Sequence, residues 1–132
     1  MYEFHGWTVV HESVTEIDEC HLSVIVENIQ SYISNLNWSN GLLKLYPANG
    51  NYYVSLGGFL NRKTVEATEI MELYQFIADQ APGSYGLLYT LDDEDTEGCE
   101  NRFKVFVLTR GQLTQKEDSF LSPFVPVVTD VE

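Results

Sequence analysis

The chain has 132 residues, of which 44% are hydrophobic and 13% aromatic. Chains of this length usually hold one core, so we expect a single domain over residues 1–132, and the composition is too apolar for a disordered chain. Its 20 Asp and Glu residues outnumber 7 Lys and Arg residues, which gives a formal charge of −13. This charge disfavours nucleic acids and anionic membranes as partners and favours basic proteins.

The location of the protein is predicted from what the sequence lacks. No segment approaches the run of about 18 apolar residues that marks a membrane span. The first residues, MYEFHGWTVV, have neither the basic start nor the apolar run of a signal peptide. Cys20 and Cys99 are isolated and are expected to be free thiols in a reducing compartment. We therefore expect a cytoplasmic protein.

The first predicted elements are a strand and a long helix. Residues 2–10 are rich in aromatic and β-branched side chains and favour a strand, with Gly6 as a bulge or a point of close approach. From about residue 15, apolar residues including Val24 and Ile25 recur at helical spacing. The pattern predicts a helix of roughly 20 residues with Ser13 or Thr15 as its cap.

A hairpin and a second helix follow. Two apolar runs at 42–46 and 52–60 flank Asn49-Gly50, a pair that tolerates positive φ and so predicts a tight hairpin, and Gly57-Gly58 indicates a bend. Residues 64–80 return to helical spacing, with Thr64 as the cap and Pro82-Gly83 as the stop. The predicted buried face of this helix consists of Ile70, Leu73, Tyr74 and Ile77.

Two more strands are predicted at 85–91 and 102–110, and the tail at 121–128, with its two prolines, is expected to lie extended against the body. The order β-α-β-β-α-β-β predicts the α+β class, with a mainly antiparallel sheet and two helices packed on it.

The loop between the last two predicted strands is strongly acidic. Six carboxylates fall within nine positions, namely Asp92, Asp93, Glu94, Asp95, Glu97 and Glu100. One interpretation is a mobile loop that keeps the protein soluble. The other is a docking surface for a basic protein, because a dense cluster creates a field that can raise association rates to roughly 10⁸–10⁹ M⁻¹s⁻¹ at low salt. We predict that these six residues contact the partner.

Metal binding and catalysis find less support in the sequence. DEDTEG from Asp93 resembles the start of a calcium loop, but the twelfth position is Lys104 rather than the required Glu, and the flanks favour strands. No catalytic motif is present, and Cys20 and His21, being adjacent on a helix, point about 100° apart. We expect no metal, no cofactor and no enzymatic activity. A metal-binding or enzymatic α+β module and a protein that self-associates through a sheet edge remain the alternatives.

The aromatic residues are interpreted mainly as core or sheet-face residues. Base stacking requires basic neighbours, which these residues lack. The residues concerned are Trp7, Trp38, Tyr46, Tyr52, Tyr53, Phe59, Tyr85 and Tyr89.

Three segments together resemble the immunity protein 7 family of bacterial polymorphic toxin systems: YEFHGW at 2–7, YGLLYTLDDED at 85–95 and LSPFVP at 121–126. Phe124 departs from the pattern, which has a cysteine between the two prolines. The resemblance implies a small cytoplasmic α+β protein that binds and neutralises a cognate secreted toxin domain, with contact-dependent growth inhibition as the best known setting. Nucleases are common among such toxins, and their basic grooves agree with the acidic charge of this chain.

Overall fold

The computed structural model describes residues 1–13 and 21–127. In these residues six strands form one antiparallel sheet in the order β2-β3-β1-β4-β5-β6. The strands are β1 (Tyr2–Val10), β2 (Leu42–Ala48), β3 (Asn51–Leu60), β4 (Tyr85–Asp92), β5 (Lys104–Thr109) and β6 (Gln112–Glu117). The helices are α1 (Leu22–Leu36), α2 (Val65–Gln80) and a short stretch α3 (Phe124–Val127). The predicted α+β class, with two helices packed on the sheet, is confirmed.

The core lies between the sheet and the two long helices. On α2 the four residues predicted to be buried are each fully buried, and α1 contributes three isoleucines: Ile25, Ile29 and Ile33. The sheet contributes alternate residues of its central strands, among them Phe4, Val54 and Leu88. Among the described residues, no helix has the length and apolar character needed to cross a membrane.

The helix ends differ in part from the predicted ones. The predicted start of the first helix falls on residues 14–20, which lie outside the described part of the chain, and Val24 on its predicted apolar stripe is 54% exposed. The α2 helix ends at Gln80, as Pro82-Gly83 predicted. Thr64 is the N-cap residue of α2, as predicted, but its hydroxyl donates to the Glu66 carboxylate and does not accept a backbone N–H.

The glycines singled out in the sequence have different roles in the fold. Asn49 and Gly50 have φ of 52° and 80° and join β2 to β3, so the predicted hairpin is confirmed. The predicted bend at Gly57-Gly58 is wrong, because β3 pairs with β1 without interruption to Leu60. Gly6 is a point of close approach and not a bulge, since a Cβ there would collide with the Tyr74 hydroxyl.

The sequence-based order lacks one strand. The chain turns back at Arg110-Gly111, where both residues have positive φ, and forms β6 beside β5. The following tail lies against the body as predicted, with the Phe124 ring 6.1 Å from the Phe103 ring. Its predicted extended conformation is wrong for α3, although Val125 within it is extended.

Alternation along the strands gives the sheet two faces. We call the face under α1 and α2 the covered face, and the opposite face the open face. In β1 the residues Phe4 and Thr8 belong to the covered face, whereas His5 and Trp7 belong to the open face. The acidic loop, residues 92–103, begins with the last residue of β4 and ends at the start of β5.

Candidate functional site

The acidic loop is ordered by its own carboxylates. The Asp92 carboxylate accepts the Glu94 N–H at 3.0 Å, and the Asp92 carbonyl oxygen accepts the Asp95 N–H at 3.1 Å. Asp95 then accepts the N–H groups of Glu97 and Cys99, at 2.9 and 3.0 Å. Because Asp and Asn side chains that bond nearby backbone N–H groups stabilise turns, these contacts fix the loop. The interpretation as a mobile loop therefore finds no support in this geometry.

Asp95 points inward and acts as the centre of the loop. Its side chain is only 11% exposed, and its carboxylate lies 3.9 Å from the Lys104 ammonium. The backbone N–H groups of Cys99 and Glu97 lower the pKa of Asp95 below its usual value, with a further contribution from Lys104 and Lys63. Asp95 is therefore ionised and already paired within the chain.

The start of the chain closes one side of the loop. The Met1 ammonium donates to the Asp93 carboxylate at 2.7 Å, and the Asp93 N–H donates to the Met1 carbonyl oxygen at 3.2 Å. The hydrogen bond to Asp93 raises the pKa of the Met1 amino group, and the charges of Asp93, Glu94 and Asp92 act in the same direction, whereas burial opposes them.

Four of the six predicted contact residues face outward. Asp92 is half-buried and Asp95 is mostly buried, so both serve the loop itself. The side chains of Asp93, Glu94, Glu97 and Glu100 are exposed. These four carboxylates are the ones that a partner can reach.

Behind the loop, a cavity of about 240 Å³ lies between the first turns of α2 and the sheet. Three of the seven Lys and Arg residues of the chain line it, namely Lys63, Arg102 and Lys104. The half-buried thiol of Cys99 also faces it and is free, as predicted, whereas Cys20 lies outside the described residues. The inner side of the loop thus faces cations, and its outer side presents net negative charge, since the Met1 ammonium offsets only part of the charge of its four exposed carboxylates.

The geometry of the loop also bears on the metal alternative. Asp92, Asp93 and Glu94 bring carboxylate oxygens within 4.8 Å of one another, a spacing that could hold a metal ion. The Met1 ammonium already donates to Asp93 there, so a cation of the chain itself occupies the surroundings of these oxygens. Lys104 occupies the twelfth position of the sequence that resembles a calcium loop. It is the first residue of β5, so the predicted strand on this side of the loop is present.

The second feature of the structure is a group of exposed aromatic side chains on the open face. Phe59 is 65% exposed, Tyr85 46% and Trp7 44%. Trp7 and Tyr85 meet edge to face, with ring centroids 6.2 Å apart, and His5 meets Phe59 in the same way at 5.8 Å. Trp7, Phe59 and Tyr85 are sheet-face residues, one of the two predicted roles, and they lie on an exposed face rather than in the core.

The open face is nearly free of charge. Within the six described strands, the Asp, Glu, Lys and Arg side chains on this face are those of Glu3, Lys44 and Lys116. Glu3 is itself buried and contacts the His5 ring at 2.6 Å. The whole chain has 27 charged residues, namely 7 Lys and Arg and 20 Asp and Glu. The open face is therefore depleted of charge, and it is enriched in aromatic rings.

The tail joins the open face to the acidic loop. Tyr89 on the open face contacts the Phe103 ring at 5.8 Å, and Phe103 contacts Phe124 of the tail. Beside Glu100, the Asn101 side chain accepts the Val125 N–H and donates to the Val125 carbonyl oxygen, both at 2.9 Å. Loop, tail and open face therefore form one continuous surface.

The open face was missed by sequence reasoning although a signal existed. In β1 the face that carries Trp7 also carries Glu3 and His5, and polar residues on one face of an antiparallel strand are typical of the face that contacts water. The exposure of Tyr85 and Phe59 then follows only from the pairing of β4 and β3 with β1.

Comparison with known proteins gives one match. The family model described as immunity protein 7 matches residues 1–130. No curated protein matches the chain, and no solved structure matches it either.

Proposed function

Since the chain belongs to the immunity protein 7 family and is therefore an immunity protein against a toxin, we propose that it neutralises a basic nuclease toxin by docking with its acidic loop. The contact residues on the loop are Asp93, Glu94, Glu97 and Glu100. Asp92 and Asp95 act indirectly, because they hold the loop in shape. The neutralisation is a binding event in the cytoplasm and requires no catalysis.

The observation that carries this proposal is the outward set of four carboxylates on an ordered loop. An ordered loop loses little conformational entropy when it binds, so its charges contribute to affinity as well as to the rate of encounter. The inward carboxylate of Asp95 is balanced by Lys63 and Lys104, which leaves the negative field directed outward.

The proposed toxin class follows from charge. A nuclease binds phosphates with Lys and Arg side chains, so its substrate groove is positive. Carboxylates placed at such a groove pair with the same side chains and exclude the substrate. A toxin with a neutral or acidic surface gains nothing from this loop.

The test compares two triple charge reversals of equal size. Glu94, Glu97 and Glu100 are changed to Lys in one variant, and Glu27, Glu72 and Asp79, all exposed on α1 and α2, in the control. Association with the purified cognate toxin domain is measured by stopped flow at several salt concentrations. We expect the loop variant to associate about 10-fold or more slowly near 0.15 M salt, where screening over about 8 Å confines the effect to nearby charges.

The control reversal should slow association less, and the two variants should converge at high salt. Equal rates for the loop variant and the control would show that the loop is not the docking site. If the toxin bound with wild-type affinity but showed no activity on RNA or DNA, the nuclease assignment would be wrong.

A further inference from the structure

We infer that the open face of the sheet is the apolar core of the toxin interface, with the acidic loop as its charged rim. This inference rests on the proposed function and adds a second surface to it. The occupant is the basic toxin domain, seated on the face that carries Trp7, Tyr85 and Phe59.

The composition of the open face is that of an interface core. Interface cores are depleted of charged residues and enriched in Trp, Tyr and Phe, and large exposed apolar patches on soluble proteins mark interaction sites. Trp7, Tyr85 and Phe59 are each more than 40% exposed, and Leu42 on the neighbouring edge strand is 53% exposed. Such exposure is unfavourable in the free chain, so a partner that covers these rings stabilises the complex.

The exposed part of the open face lies mainly over β2, β3, β1 and the start of β4, since Leu91 and Val105, on the side towards the acidic loop, are only 2% and 7% exposed. Four strands spaced about 4.8 Å apart give a width of roughly 15 Å, and strands of seven to ten residues give a length of roughly 20–30 Å. This area alone is smaller than the usual total of about 1,200–2,000 Å² for a stable interface, so we expect the partner to contact the acidic loop as well.

Charge distinguishes a toxin from a second copy of the chain as the occupant. Two copies each carry a formal charge of −13, so they repel one another as they approach. A basic domain is attracted instead. The contacts through Tyr89, Phe103 and Phe124 place the end of the acidic loop beside the open face, so a basic domain that extends from the rings across Tyr89 approaches Glu100.

Two aromatic side chains provide the test. Trp7→Ala and Tyr85→Ala are combined, because the two rings contact each other and are expected to form one anchor. Binding of the purified cognate toxin domain is measured by surface plasmon resonance at low and high salt. We expect an affinity loss of about 30-fold or more, mostly from faster dissociation, and nearly the same loss at both salt concentrations.

The matched control is Val24→Ala with Val65→Ala, two exposed apolar residues on α1 and α2. It should bind like the wild type. Circular dichroism and thermal unfolding check that each variant is folded, and Phe59→Ser replaces the aromatic pair if that variant does not fold. Phe59→Ser should weaken binding by at least about 10-fold.

The outcomes separate this inference from the proposed function. Wild-type affinity in the folded aromatic variants, together with slow association of the loop reversal, overturns the inference and leaves the proposed function in place. A free chain that sediments as a dimer, and becomes a monomer when Trp7 and Tyr85 are replaced, also overturns it, because a second copy then covers the open face. No binding of the toxin by the wild type overturns both.

Discussion

The covered face and the open face of the sheet are built from the same strands, yet the two faces meet different environments. On β4, Leu88 is fully buried under the helices, whereas its neighbour Leu87 is half-buried on the open face. On β1, Phe4 is fully buried and Trp7 is 44% exposed. The comparison teaches that apolar character alone does not identify the core of this protein, because the open face also carries apolar and aromatic side chains, several of which remain exposed.

The largest expected effect comes from the leucine pair on β4. Leu88→Ala should lower the free energy of unfolding by about 2–5 kcal/mol, since it leaves a cavity between sheet and helices. Leu87→Ala should cost about 1 kcal/mol or less, because water already reaches this side chain. Urea denaturation midpoints, with unchanged slopes, measure both values. Similar losses for the two variants would contradict the distinction between the faces.

The next largest change in stability is expected when glycines on the two faces are replaced by alanine. A Cβ at Gly86 would overlap the Trp7 carbonyl oxygen and come within 2.8 Å of the Thr8 Cα, so Gly86→Ala should cost about 1–3 kcal/mol. At Gly57, on the open face, the nearest atom would be the Phe4 carbonyl oxygen at 3.6 Å, an ordinary contact. Gly57→Ala should be neutral or stabilise by about 0.5 kcal/mol. Thermal unfolding of the two variants checks this, and a destabilised Gly57→Ala would show that the open face is packed more tightly than described.

The smallest effect tests the tail, which covers one end of the open face. Asp118 is 5% exposed, and its carboxylate accepts the N–H groups of Phe120 and Leu121 and the Ser122 hydroxyl. Burial alone would raise the pKa of Asp118, but these hydrogen bonds outweigh it and hold the pKa below its usual value. A lowered pKa means that the carboxylate stabilises the fold above the unfolded pKa and that this stability is lost as the pH falls.

We therefore expect Asp118→Asn to be less stable than the wild type by about 1 kcal/mol at pH 7. The difference should shrink as the pH falls below about 4, where the wild-type carboxylate becomes protonated. Unfolding by urea at a series of pH values measures the difference. A pH-independent difference would mean that the charge of Asp118 does not hold the tail.

Much of the fold could be predicted because local signals and tertiary structure agree. The first strand has the predicted bounds, and the Asn49-Gly50 turn and the buried face of α2 follow from turn chemistry and helical spacing. The β6 strand was missed because Leu113 is the single apolar residue in its six, so pairing with β5 defines it rather than its own pattern. An edge strand of this kind carries little periodic signal.

The candidate site was predictable in position but not in detail. The run of carboxylates identified the acidic loop, since six acids in nine positions are visible in the sequence. The inward role of Asp95 depends on the backbone N–H groups of Glu97 and Cys99 and on Lys104, which only the folded loop brings together.

By itself the sequence determined the kinds of element, the acidic charge and the family, because spacing, turn residues and composition are local properties of the chain. The tertiary structure alone decided which side of the sheet the helices cover. Apolar and aromatic residues alternate onto both sides of the central strands, so the choice depends on where α1 and α2 return across the sheet. That choice buried Phe4 and Leu88 in the core and left Trp7, Tyr85 and Phe59 in solvent.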